Sequence, residues 1–171
     1  MYWYEKAAKR GIAEAQYNLG ICYQFGEGVN KDYIKAVYWY EKAAEQGNVD
    51  AQINLGFCYE NCKGVDQDYT KAVYWYEKAA EQGDTDAQLK LGVCYYAGEG
   101  VEQDYAKAVY WYEKAAEQGD AAAQYNLGFC YYNGDGVERD YDKVVYWWEK
   151  AAEQGNVDAQ YNLEMLRILG Y

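Results

Sequence analysis

The sequence has no proline, no histidine and no serine in 171 residues. Threonine occurs only at Thr70 and Thr85. Without serine and histidine there is no Ser/His/Asp triad, no Cys/His pair and no Ser/Lys hydrolase. Without histidine, the common zinc ligand sets shrink to all-thiolate or carboxylate sites. Without serine, and with threonine only at two unsuitable positions, there is no Asn-x-Ser/Thr acceptor for glycosylation. No apolar run reaches the roughly 18 residues that a membrane span requires. The opening Met1-Tyr2-Trp3-Tyr4-Glu5-Lys6 lacks the basic region and long apolar stretch of a signal peptide.

Charge of one sign is also scarce. Lys and Arg number 16 against 28 Asp and Glu, leaving a net charge of −12. Such a surface repels phosphates, so neither nucleic acid nor an anionic membrane is expected as a partner. The apolar share is 51%, yet the mean hydropathy is −0.64, because much of that share is Ala and 23 Tyr. Five cysteines is an odd number for a disulfide framework in a chain this long. They read as reduced thiols, which favours a cytoplasmic setting.

What is present is repetition. Tyr38-Trp39-Tyr40-Glu41-Lys42-Ala43-Ala44-Glu45-Gln46-Gly47 recurs from Tyr74, from Tyr110 and, with Trp148 in place of Tyr, from Tyr146, always 36 residues on. Part of it opens the chain at Tyr2. The Ala15-Gln16 and Leu19-Gly20 pattern returns from Ala51, Ala87, Ala123 and Ala159. A period in this range means stacked supersecondary units, hence a solenoid without strands and without a visible linker. One repeat domain over 1–171 is expected.

Each repeat holds two amphipathic segments. Segment A spans roughly 13–25 in the first unit, and segment B roughly 32–46. Asp32, Asp68, Asp104 and Asp140 precede the B segments as N-caps; Asn48, Asp84, Asp120 and Asn156 precede the A segments. Gly47 ends B as a residue able to take positive φ. Of the turn glycines, Gly28 and its equivalents Gly64, Gly100 and Gly136 are expected to need positive φ. Gly26, replaced by Cys62 in the second unit, is expected to need only a small side chain. Gly20, Gly56, Gly92 and Gly128 sit inside segment A, where glycine costs roughly 1 kcal/mol against alanine. A helix B crossing too closely for a Cβ accounts for them. The count predicts ten helices: a lone B, four A–B pairs and a closing A.

These motifs, Ala-x-Ala-Gln-Tyr-Asn-Leu-Gly-x-Cys-Tyr-x-x-Gly-x-Gly-Val followed by Asp-Tyr-x-Lys-Ala-Val-Tyr-Trp-Tyr-Glu-Lys-Ala-Ala-Glu-Gln-Gly, closely resemble the Sel-1-like repeat, a relative of the tetratricopeptide repeats. The resemblance covers essentially the whole chain. It implies an all-α, right-handed α/α superhelical solenoid that serves as a scaffold for protein–protein interactions, with helix A lining the concave surface. Some cysteine-rich members carry a second cysteine in helix B and are linked to β-lactam binding. Here the helix B counterparts are Ala43 and Ala44, and no Ser-x-x-Lys nucleophile exists.

One side of helix A, holding Ala15, Gln16, Leu19, Gly20, Tyr23 and Gly26, barely changes between repeats and must pack on B. The other side varies and is apolar or aromatic. Its candidate partner-binding residues are Tyr17, Ile21, Gln24, Phe25, Phe57, Glu60, Asn61, Lys90, Val93, Tyr96, Tyr132 and Asn133. At the level of residues 17 and 21, packing between neighbouring A helices is the competing explanation. Asn18, Asn54 and Asn126 add amides able to hold a peptide backbone. Helix B presents Lys35, Glu41, Lys42 and Glu45 and reads as the solvated face. Cys22, Cys58, Cys94 and Cys130 are equivalent packing thiols, too far apart to bridge; Cys62 stands outside that row at a turn. No metal, cofactor or catalytic constellation emerges.

The expectation is a non-enzymatic scaffold binding a protein or peptide in the concave groove. The alternatives are an engineered or consensus array without a natural ligand, and a small-molecule-binding or enzymatic relative of the cysteine-rich branch. Tyr2, Trp3 and Tyr4, on a B helix lacking its A partner, make self-association through this end a further expectation. Because the chain begins in mid-unit, it reads as a fragment of a longer array.

Overall fold

The computed structural model describes residues 2–169. The helices are α1 (Tyr2–Lys9), α2 (Ala13–Phe25), α3 (Tyr33–Ala44), α4 (Val49–Glu60), α5 (Tyr69–Glu81), α6 (Thr85–Ala97), α7 (Tyr105–Glu117), α8 (Ala121–Asn133), α9 (Tyr141–Glu153) and α10 (Val157–Leu169). Among the described residues all regular structure is helical. Even-numbered helices are the A helices and odd-numbered ones the B helices. The chain divides into two compact units, residues 1–87 and 88–171. Within the first, α2 packs on α1 and α3, and α4 on α3 and α5; within the second, α8 packs on α7 and α9, and α10 on α9.

Helix starts follow from the caps. The carboxylates of Asp32, Asp68, Asp104 and Asp140 accept from the backbone N–H three residues on, at 3.0–3.1 Å. Asn48, Asp84, Asp120 and Asn156 do the same for the A helices at 2.6–2.9 Å. The Lys35 and Lys71 N–H groups hold the Asp32 and Asp68 carboxyls below the usual carboxylate range. A depressed folded-state value means stability present above the unfolded value and lost as pH falls through the folded one.

The mid-helix glycines mark close crossings. A Cβ on Gly20 would lie 2.5 Å from the Tyr40 ring, and one on Gly56 equally near Tyr76. In the second unit Gly92 faces Tyr112 and Gly128 faces Trp148 in the same way. Tyr40 and Tyr76 are among the largest side chains with no appreciable exposure, so the glycine's intrinsic cost is set against burial of a whole aromatic ring.

Buried glutamines tie consecutive helices together. In the first unit Gln16 Nε2 donates at 3.1 Å to the Ala8 carbonyl, which also accepts from the Gly11 N–H at 3.0 Å, and Gln16 Oε1 accepts from Gln46 Nε2 at 2.6 Å. Gln52 links Ala44 and Gln82 in the same manner, and Gln124 links Ala116 and Gln154 in the second unit. Each glutamine thereby satisfies its own buried amide, which would be costly to leave unpaired.

The turn glycines correct one expectation. Gly28, Gly64, Gly100 and Gly136 take positive φ as expected, but so do Gly26 at +80°, Gly98 at +74° and Gly134 at +83°. Cys62, their counterpart, is itself left-handed at +54°. Both turn positions therefore need the left-handed region, and Cys62 accepts a strain of roughly 1–2 kcal/mol there. A small side chain was not the requirement; backbone conformation was.

All five cysteines are thiols. Cys58, Cys94 and Cys130 are buried, Cys22 is half-buried and Cys62 is exposed. Burial pushes the Cys58 thiol up to about 11 and the Cys130 thiol up to about 12, and the thiolate is the reactive form. Cys62 is therefore expected to be alkylated first in the native protein. Peptide mapping after brief labelling checks this, and earlier modification of Cys58 or Cys130 would contradict it.

Candidate binding surface

None of the candidate residues is buried. In the first unit Phe25 is 61% exposed and Phe57 39%, while Tyr17 and Ile21 are half-buried. The polar candidates of this unit are engaged internally. Gln24 Oε1 accepts from the Tyr40 hydroxyl at 2.5 Å, and Glu60 accepts from the Tyr76 hydroxyl at 2.6 Å. Asn61 donates to the Phe57 carbonyl. Asn54 neighbours the Tyr17 hydroxyl, and Asn18 donates to Glu14. Gln24 and Glu60 thus act as polar lids over the tyrosines of helix B.

The second unit is arranged differently. At the lid position stand Tyr96 and Tyr132. The Tyr96 hydroxyl donates to Asp135 at 2.8 Å, and Asn133 donates to the same carboxylate oxygen at 3.0 Å. Burial, followed by Asp135, pushes the Tyr96 hydroxyl up to about 12. Tyr132 leans on Tyr141 and on Trp148. Lys90 is half-buried and Val93 exposed on α6.

Two cavities open between these side chains. The first, of about 200 Å³, is lined by Tyr96, Tyr112, Tyr125, Asn126 and Phe129. The second, of about 140 Å³, is lined by Phe129, Tyr132, Trp148, Asn162, Met165 and Leu166. Tyr132, Trp148, Asn162 and Met165 stand 36 residues after Tyr96, Tyr112, Asn126 and Phe129, so the cavities are repeat-equivalent and share Phe129 as a wall. Small-molecule and cofactor sites occupy roughly 300–1,000 Å³; each of these holds one side chain. Helix α8, which carries their common wall, has no charged residue.

Helix B is less plainly a solvated face than the sequence indicated. Tyr38, Tyr74, Tyr110 and Tyr146 are each about half exposed. The lysine four residues on lies over each ring at 4.9–5.8 Å, and the next residue's Trp meets it edge-on. Those rings are already covered by a cation and a neighbouring aromatic. The i, i+4 Tyr–Lys spacing is the signal that distinguishes them in sequence. On α1, Trp3 and Tyr4 are exposed; the side chain of Tyr2 lies outside the described residues.

A tandem array of two-helix repeats, glycine-crossed and glutamine-linked, defines the class as an α/α solenoid. The Sel1 repeat model matches residues 1–12, 13–48, 49–84, 85–120 and 121–156, and the chain belongs to the Sel1 repeat family. It is similar to a protective antigen of uropathogenic Escherichia coli that displays this fold, with 46% identity and a TM-score of 0.91 over 95% of this chain. It is also similar to a Sel1 repeat protein from Oxalobacter formigenes, with 41% identity and a TM-score of 0.87 over 92% of the chain. A rat protein, DAP3-binding cell death enhancer 1, is 49% identical over 35 residues, 20% of this chain. The chain spans 35% of the antigen, 65% of the Oxalobacter protein and 7% of the rat protein. Sel1 repeats generally serve as protein-interaction scaffolds, and the fold is typically non-enzymatic.

Proposed function

We propose that the chain is a non-enzymatic scaffold and that its second unit binds a polypeptide carrying apolar anchors on the face formed by α6, α8 and α10. The pair of repeat-equivalent apolar cavities carries this reading. Aromatic walls give large contact area for few frozen torsions, the composition of interface hot spots. Phe25 and Phe57 with Tyr17 and Ile21 form a separate ledge on the first unit, available to the same kind of ligand. The net charge of −12 favours a ligand that is neutral or basic overall, associating faster at low salt.

The test uses peptides selected from a random display library. Tyr132→Ala is expected to weaken binding by more than about tenfold while moving the melting temperature little. Tyr110→Ala, which removes a more exposed ring on helix B, is expected to leave affinity unchanged. If Tyr132→Ala binds as the parent does, or Tyr110→Ala abolishes binding, the face is misassigned.

A further inference from the structure

Two polar groups at the first cavity set it apart from the first unit. Tyr112 is only 3% exposed and lines the cavity. Its equivalents Tyr40 and Tyr76 each donate to a lid residue, Gln24 or Glu60. Position 96 is instead a tyrosine whose hydroxyl is turned to Asp135, and the Tyr112 hydroxyl forms no hydrogen bond with a described residue. Asn126 lines the same cavity. Its equivalent Asn162 donates to the Tyr125 hydroxyl at 3.3 Å, and Asn54 neighbours the Tyr17 hydroxyl. The residue that would offer that hydroxyl to Asn126 is Leu89, and Asn126 likewise forms no side-chain hydrogen bond with a described residue. A nearly buried hydroxyl and an amide thus face an apolar cavity with their donors unused.

The cavities are one repeat apart and share Phe129 as a wall, so their centres lie roughly one helix diameter, about 10 Å, apart. In a polyproline-II segment, residues i and i+3 lie on one side and about 9 Å apart. A β-strand places same-face residues i and i+2 about 6.7 Å apart, too short for the pair. An α-helix matches through i and i+7 at about 10.5 Å, but its interior carbonyls are already bonded and leave the two donors unanswered. A polyproline-II backbone makes no internal hydrogen bonds. Asp135 is bonded to Tyr96, a wall of the first cavity, its carboxylate fixed by Tyr96 and Asn133, in a protein of net charge −12.

Building on the peptide-binding reading of this face, we infer that the second unit receives a polyproline-II segment with apolar residues at i and i+3 in the two cavities, its backbone carbonyls accepting from Tyr112 and Asn126, and a Lys or Arg beside Asp135. In the first unit Gln24 takes the Tyr40 hydroxyl and the Tyr17 hydroxyl faces Asn54, so that unit lacks the site.

Random-peptide display against the whole chain tests this. Selected sequences are expected to show apolar anchors at i and i+3, enriched proline and an adjacent basic residue. Tyr112→Phe, which keeps the ring, and Asn126→Ala are each expected to weaken the selected peptides about three- to tenfold, with Asn54→Ala neutral. Anchors at i, i+2 or at i, i+4, i+7, or full affinity in Tyr112→Phe and Asn126→Ala, overturn the inference. If such helical or extended peptides still lose affinity in Phe129→Ala, the binding face stands and only the ligand conformation is wrong. If no peptide is selected, both readings fall.

Discussion

Replacing Gly64 by alanine is expected to destabilise the protein by about 2–4 kcal/mol. Gly64 has φ of +76°, and a Cβ there would run into the backbone of Tyr33 and Ile34 at the start of α3. Backbone cannot step aside as a flexible side-chain tip does, so the turn between α4 and α5 must lift from α3. Gly47→Ala is the control. Its φ is +88°, but nothing lies within 4 Å of the added Cβ, so only the left-handed strain of roughly 1–2 kcal/mol remains. Urea unfolding midpoints of the two variants separate clash from strain. Equal losses would contradict the close approach of the turn to α3.

Deleting residues 158–171 is expected to cost about 3–5 kcal/mol and to bring on aggregation. Ala159, Leu163 and Leu166 of α10 are buried, and Trp148 of α9 is 2% exposed. Trp148 lies beside Asn162, Met165 and Leu166 around the second cavity. Without α10 its indole faces water. Glu164, standing where the other A helices carry their crossing glycine, is exposed. The Arg167–Glu149 pair lost with the helix spans 4.0 Å between exposed side chains and contributes little. A red-shifted tryptophan emission with a lower melting temperature is the expected readout. A soluble truncated chain melting at the parent's temperature would contradict the role of α10 as a cover for Trp148.

Repetition made most of the architecture legible. Eight capping residues, the C′ glycines and the mid-helix glycines each recur at one spacing, and each has a local or one-helix-away consequence that propensity and sterics predict. The α2 span of Ala13–Phe25 was readable for that reason. Cys62 misled because its counterparts in the other repeats, Gly26, Gly98 and Gly134, are glycine, which takes positive φ without leaving a side-chain trace of having done so. The lids were also hidden: Gln24 meets Tyr40 across 16 positions, and Gln46 meets Gln16 across 30. A repeat pattern says which positions are equivalent, not which polar groups find each other between helices. The difference between the units arises from Tyr96 for Gln24 and Leu89 for Tyr17, substitutions that look like ordinary aromatic and apolar drift in sequence. Only their effect on Tyr112 and Asn126 gives them meaning.

Hydroxyl-radical footprinting of the protein with and without a selected peptide tests the binding face most directly, because aromatic and sulfur side chains react and both faces carry them. Phe129, Tyr132 and Met165 are expected to be protected by the peptide, while Tyr110 and Tyr146 react as before. Protection of Tyr110 and Tyr146 with Phe129, Tyr132 and Met165 unchanged would place the ligand on helix B and contradict the account.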